Sequence, residues 1–167
     1  VSITTLDKEL QQKLEPRTAS ASKRLNVVKV LSDENIPVNV MVAPIIPGLN
    51  NHEIPEIIHQ ASEHGACSAG YTIVRLNGAV KDIFEDWIKK TFPARAEKVF
   101  VQIAACHGGQ LNDSRFGIRI RGEGKIAESI GNLFKIARQK YMNEKTMKPL
   151  NLHTFRKPVE GQLSLFE

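Results

Sequence analysis

The stretch Ile36-Pro-Val-Asn-Val-Met-Val-Ala-Pro-Ile-Ile-Pro-Gly48 decides how this chain reads. It is apolar almost without interruption and is punctuated by Pro37, Pro44, Pro47 and Gly48. A half-buried strand alternates apolar and polar residues, so a continuous run predicts a strand covered on both faces, as in a parallel sheet. Two similar segments flank it, Val-Ser-Ile-Thr-Thr-Leu at 1–6 and Ser-Ala-Gly-Tyr-Thr-Ile-Val-Arg-Leu at 68–76. Their centres lie roughly 35 residues apart, the length of a βαβ unit. Parallel strands joined by right-handed crossovers follow.

The intervening segments carry helical periodicity. Leu25, Val28 and Leu31 share one face within residues 20–36. Ile54, Ile57, Ile58 and Ala61 form a stripe in residues 50–66, with Gly65 at the C-cap and Pro55 confined to the first turn. Beyond 76 the strand pattern stops. Val80, Ile83, Phe84, Trp87 and Ile88 follow an i, i+3, i+4, i+7, i+8 series, ended by Pro93. Residues 94–109 read as another helix, and 125–142 as a last one with Ile126, Ile130, Leu133, Phe134, Ala137 and Tyr141 inward. The expected organisation is α/β: βα units over 1–90, a helical extension over 91–142, and a flexible tail over 143–167. Three parallel strands with their helices on one side make an incompletely covered sheet, which belongs more naturally to a larger sheet or barrel. Together with a strand-like start at Val1, this suggests a piece of a longer protein that supplies the other strands.

Composition narrows the function classes. The chain has 167 residues, 41% hydrophobic and 25% charged, as in ordinary globular domains. No apolar run approaches the roughly 18 residues that span a bilayer, and the start lacks a signal-peptide pattern, so no membrane partner and a cytoplasmic location are expected. Cys67 and Cys106 stand alone and read as buried, reduced thiols. The formal charge of +5 permits nucleic-acid contact without requiring it. His52, His59, His64, His107 and His153 are expected at solvent-facing or capping positions, with no metal site in the chain.

Functional groups of βα units gather where loops leave the C-terminal ends of strands. Here those are Thr4, Thr5 and Asp7, then Glu15, Arg17 and Ser20, the Ala43–Asn51 segment, and Arg75 with Asn77. Hydrolase and phosphate-loop motifs are absent. Residues 108–125 form an unusual connection of five glycines and four cations, Arg115, Arg119, Arg121 and Lys125, around Phe116. Glycines admit a phosphate to the backbone, arginines match its geometry, and an aromatic stacks on a base. The alternative is a structural loop folded down by Asp113 and Glu123. The chain closes with Gln162, Leu163, Ser164, Leu165 and Phe166 after a Pro158/Gly161 spacer. Extended, these five residues reach about 17 Å, enough to enter separate apolar pockets on another protein or to clip onto the chain's own surface.

Two resemblances attach to these residues. Gln162–Phe166 is similar to the pentapeptide by which bacterial replication and repair proteins bind the DNA sliding clamp, matching all five positions. Residues 1–142 resemble the C-terminal portion of a radical S-adenosylmethionine (SAM) protein, closest to the spore photoproduct lyase and "DNA repair photolyase"-related group. The likeness rests on SITTLD…LEPR with SASKRL, on IPVNVMVAPIIPGLNNHEIP, on SAGYTIVRL, and on FPARAEKV…GG…DSRFG…RGEG. It implies the last three strands of a partial (β/α)6 barrel. It also implies an enzyme whose full-length form uses SAM and a [4Fe–4S] cluster held by Cys-x3-Cys-x2-Cys. That motif does not occur here, so this chain alone is expected to bind neither and to be inactive. By the same resemblance Thr4, Thr5 and Arg17 would face the SAM ribose and carboxylate, and Val42, Ala43, Ile45 and Pro47 its adenine. The competing reading is a non-catalytic module that binds the clamp and nucleic acid. The exposed edge of residues 1–6 makes a homodimer a further expectation.

Overall fold

The computed structural model describes residues 1–147, 149 and 152–154, so the Gln162–Phe166 peptide lies outside the described residues. Three parallel strands, β1 (Ser2–Ile3), β2 (Asn39–Ile45) and β3 (Ser68–Ile73), lie in the order β1-β2-β3. Helices α1 (Lys8–Leu14) and α2 (Ala21–Asp33) join the first two strands. A 3-10 turn (Asn51–Glu53) and α3 (Ile54–Glu63) join the second pair. After β3 come α4 (Val80–Thr91), α5 (Pro93–Ala105) and α6 (Gly124–Met142). Among the described residues no helix is long and apolar enough to cross a membrane.

Among the described residues the sheet is covered on one face, not two. Ile3 pairs with Val42 and Val42 with Tyr71, while Val40 pairs with Ala69. These side chains join a core with Leu25 and Val28 of α2, Ile54, Ile57, Ile58 and Ala61 of α3, and Ile130 and Phe134 of α6. Because side chains alternate across a strand, the rows Ser2–Met41–Gly70 and Asn39–Ser68 point the other way. Apart from Met41 that face carries small and polar residues, and Ser68 Oγ donates to Asn39 Oδ1 at 2.6 Å. The apolar run around β2 misled because its surplus hydrophobic residues serve elsewhere. Ile46 and Leu49, past the strand end, join a second core with Leu10, Leu76, Phe84, Ile88, Val99 and Ile103.

Helix periodicity carried over with two corrections. In α4, Phe84 and Ile88 are buried, but Val80 and Ile83 are 52% and 68% exposed. The helix lies on the second core by a narrow stripe, so two of the five residues in its apolar series meet water. The helical extension is not separate either, since α6 packs on α3 and β3 within the sheet's own core.

The strands are shorter than their sequence patterns because their ends turn into a polar knot. The β2–β3 register shifts between Val42 and Ile45, where a cis peptide joins Ala43 to Pro44 and Pro44 has no N–H for the ladder. Asn50, 2% exposed, repairs the gap. Its Oδ1 accepts from Ile46 N at 2.7 Å, and its Nδ2 donates to Thr4 O at 2.8 Å and Pro44 O at 3.1 Å. Glu53 accepts from Thr5 Oγ1 at 2.6 Å and Leu6 N at 2.7 Å. Each buried backbone group left unpaired costs about 1–3 kcal/mol, so Asn50→Ala should destabilise the fold by about 2–4 kcal/mol. Urea unfolding measures this, and an unchanged midpoint would deny the clasp its role.

Candidate functional site

The residues expected to contact SAM do not converge. Thr4 is buried, and its hydroxyl faces Glu15 Oε1 at 2.5 Å and Ala43 O at 3.0 Å. Glu15 also receives Arg24 Nη2 at 2.5 Å and Thr18 Oγ1 at 3.0 Å. Burial pushes the Glu15 carboxyl up, but the bonds from Thr4, Arg24 and Thr18 outweigh it and hold it below its usual range. Thr5 is committed to Glu53, though it also borders a cleft of about 340 Å3 with Lys8, Ser20 and His64. Arg17 is exposed.

On the adenine side, Val42 and Ile45 are 2% and 1% exposed within the core, and Pro47 is buried. Only Ala43 of that quartet is half-buried. Strand alternation explains the correction, since Met41 and Ala43 share the uncovered face while Val42 turns beneath the helices. Sequence reading missed Asn39 and Ser68, which do meet on the uncovered face. It also missed the clasping roles of Asn50 and Glu53, although an Asn following Pro-Gly-Leu carries the signal of a side chain capping a turn.

The glycine and arginine connection is mostly structural. Ile73 N donates to Ile120 O and Leu76 N to Leu111 O, both at 2.9 Å, so the loop is tied to the end of β3 and the segment that follows it. Arg115 is a clamp. It binds Asp113 Oδ2 at 2.7 Å and Oδ1 at 3.0 Å, and Glu123 Oε1 at 2.5 Å, which raises its own pKa. A guanidinium held by two carboxylates has few donors left for a phosphate, so Arg115 leaves the set of candidate nucleic-acid contacts. Phe116 is 92% exposed with the Arg119 guanidinium 5.8 Å from its ring centroid. Arg121 stands 5.8 Å from the Tyr71 ring, and Lys125 is exposed on the first turn of α6.

Beneath the clamp lies His107, a departure from the expected exposed histidines. Its side chain is fully buried, with Nε2 2.9 Å from Val74 O and Nδ1 4.0 Å from Asp113 Oδ2. Among the described residues Nδ1 is the one buried side-chain nitrogen or oxygen without a hydrogen-bond partner. A histidine beside an aspartate suggests a catalytic dyad, yet the nitrogen that would face a substrate is spent on the end of β3. His64 caps as expected, Nδ1 meeting Gln60 O at 2.7 Å, while His59 stacks on Tyr141 at 4.5 Å. Cys106 is buried and its thiol is pushed up to about 11 by desolvation; Cys67 is only half-buried. The raised thiol of Cys106 is a poor thiolate ligand.

Compared with known proteins, the chain matches no family model, no curated protein and no solved structure.

The Asp113 carboxyl is lowered to about 2, first by the Arg115 side chain and then by the Arg115 backbone N–H. A depressed carboxyl stabilises the fold fully above its unfolded value of about 3.9 and loses that contribution as pH falls toward its folded value. Asp113→Asn should therefore lower the urea midpoint by a constant amount above about pH 4, with the gap to the parent closing toward about pH 2. A gap independent of pH would mean that the Arg115 clamp contributes nothing to stability.

Proposed function

We propose that this chain is the C-terminal half of a (β/α)6 barrel enzyme of the radical SAM type, completed by strands that precede β1. The observation that carries the reading is the asymmetry of the sheet. Strand order runs 1-2-3 without the reversal of a doubly wound fold. At the β3 edge the 108–123 connection takes up the last strand amide, Ile73 N, while among the described residues β1 pairs on one side only. Helices pack on one face, and the other presents Ser2, Asn39, Ser68 and Gly70, a suitable lining for a barrel interior. The cluster itself does not fit these residues, because Cys106 is buried with a raised pKa and Cys67 Sγ donates to Val38 O at 3.2 Å. Its three cysteines belong to the preceding half. The gene sequence upstream of Val1 tests this: an in-frame Cys-x3-Cys-x2-Cys is expected. A start codon directly before Val1 would overturn the reading and leave the non-catalytic module in its place.

The five-position match of Gln162–Phe166 favours a bacterial sliding clamp as partner. The full chain should bind a recombinant clamp in a fluorescence polarisation assay, and deletion of 162–166 should abolish binding with an unchanged melting temperature. Lower melting after deletion, without clamp affinity in the parent, would make the peptide a clip on its own surface.

A further inference from the structure

Helix α6 has a second working face. Ala127, Ile130, Phe134 and Ala137 enter the core. Beside them, a strip from the Gly122–Gly124 turn through Gly131 to Asn143 forms one wall of an open groove of about 970 Å3. Gly131 deepens it: a Cβ there would stand 3.1 Å from the Tyr71 hydroxyl. The Tyr71 ring leans on Phe134, with centroids 4.7 Å apart, and forms part of the floor.

The charge of the groove is one-sided. Arg121, Lys135, Arg138 and Lys145 line it against Glu123 and Glu128. Glu123 is already neutralised by Arg115, and Lys145 Nζ is engaged by Ser62 O. Lys135 and Arg138 are exposed and make no ion pair among the described residues. Cations left unpaired along a concave wall concentrate positive potential there. Lys135 and Arg138 stand about 4.5 Å apart along the axis, while the groove runs on along α6 to Gly124, about 21 Å from Arg138 at about 1.5 Å per residue. A lone phosphate would meet those two cations and leave most of the groove empty, so a ligand that fills it is longer than a single anion.

A second feature selects among polyanions. At the foot of the groove the Arg121 guanidinium lies over the Tyr71 ring, 5.8 Å from its centroid. A guanidinium layered on an aromatic ring stacks an unpaired base, which an acidic peptide does not supply and a duplex keeps inside its own stack. We propose that this groove binds single-stranded nucleic acid, its phosphates following Lys135 and Arg138 and one base resting at Tyr71. The site meets the glycine and arginine loop only at its Arg121–Gly124 end: of Arg115, Phe116, Arg119, Arg121 and Lys125, only Arg121 lines the groove. It lies on the helix-covered side of the sheet and does not depend on the barrel reading.

The test is fluorescence anisotropy of the full chain with a labelled oligothymidylate of about twelve nucleotides, a length within single-strand site sizes. Binding should weaken with salt. Lys135→Glu with Arg138→Glu should reduce affinity at least tenfold and lower the log–log salt slope by about 1.4, two contacts at about 0.7 each. A charge-matched control, Lys23→Glu with Lys98→Glu, lies on α2 and α5 away from the groove and should change affinity less than about twofold. Tyr71→Leu should cost about fivefold or more with the salt slope unchanged. Absence of binding, equal losses in both double variants, or equally tight binding of a polyglutamate of the same charge would overturn the proposal.

Discussion

The amide of Asn50 is the point on which the strand ends depend. Where β2 leaves its ladder at Ala43–Pro44, three backbone groups lose their sheet partners, and one buried side chain satisfies them all. Glu53, one turn later, does the same for the end of β1. Glu15, gripped by Arg24, closes the far side through Thr4. The C-terminal end of this sheet, usually left for ligands, is therefore occupied by protein. Thr4 and Thr5 look like ligand contacts in sequence for the same reason that they serve as structural partners: short hydroxyls at a strand end reach whatever acceptor comes nearest.

The same economy governs the 108–123 connection. Its carbonyls meet the amides of Ile73, at the end of β3, and of Leu76 beyond it, and its single committed arginine spends two carboxylates to hold the loop down. Occupying an amide at a sheet edge blunts unwanted pairing there. The glycines permit that path: Gly122, at φ +71°, lies where a Cβ would stand 2.7 Å from Cys106 O. Of the four cations in the loop, Arg115 serves to clamp it.

The elements were legible because their signals are local. The α3 stripe Ile54, Ile57, Ile58 and Ala61 is wholly buried, and βα spacing alone announced the parallel sheet. Facing was not legible. Val40 to Ile46 offers almost no polar residue to mark one side of β2, so the choice between Val42 and Ala43 rests on pairing with Ile3 and Tyr71, which are far away in sequence. The role of Asp113 was half visible, since Arg115 is two residues on, but His107 beneath it required the fold. The groove was invisible for a related reason. Gly131 reads as a weak point in a helix until Tyr71, sixty residues earlier, is seen to lie against it.

These placements also explain how a sheet with one bare face keeps its fold. Burial of apolar surface stabilises at roughly 25 cal/mol per Å2, and here the branched side chains of β2 and β3 turn toward α2, α3 and α6. The bare rows hold Ser2, Asn39, Ser68 and Gly70, which lose little by meeting water, with Met41 the one large apolar side chain among them. The Ser68–Asn39 hydrogen bond satisfies part of that face internally. A face of this composition gains little from a second apolar layer. Its polar groups are met by water and by each other, so the stability of the sheet comes from its helical side.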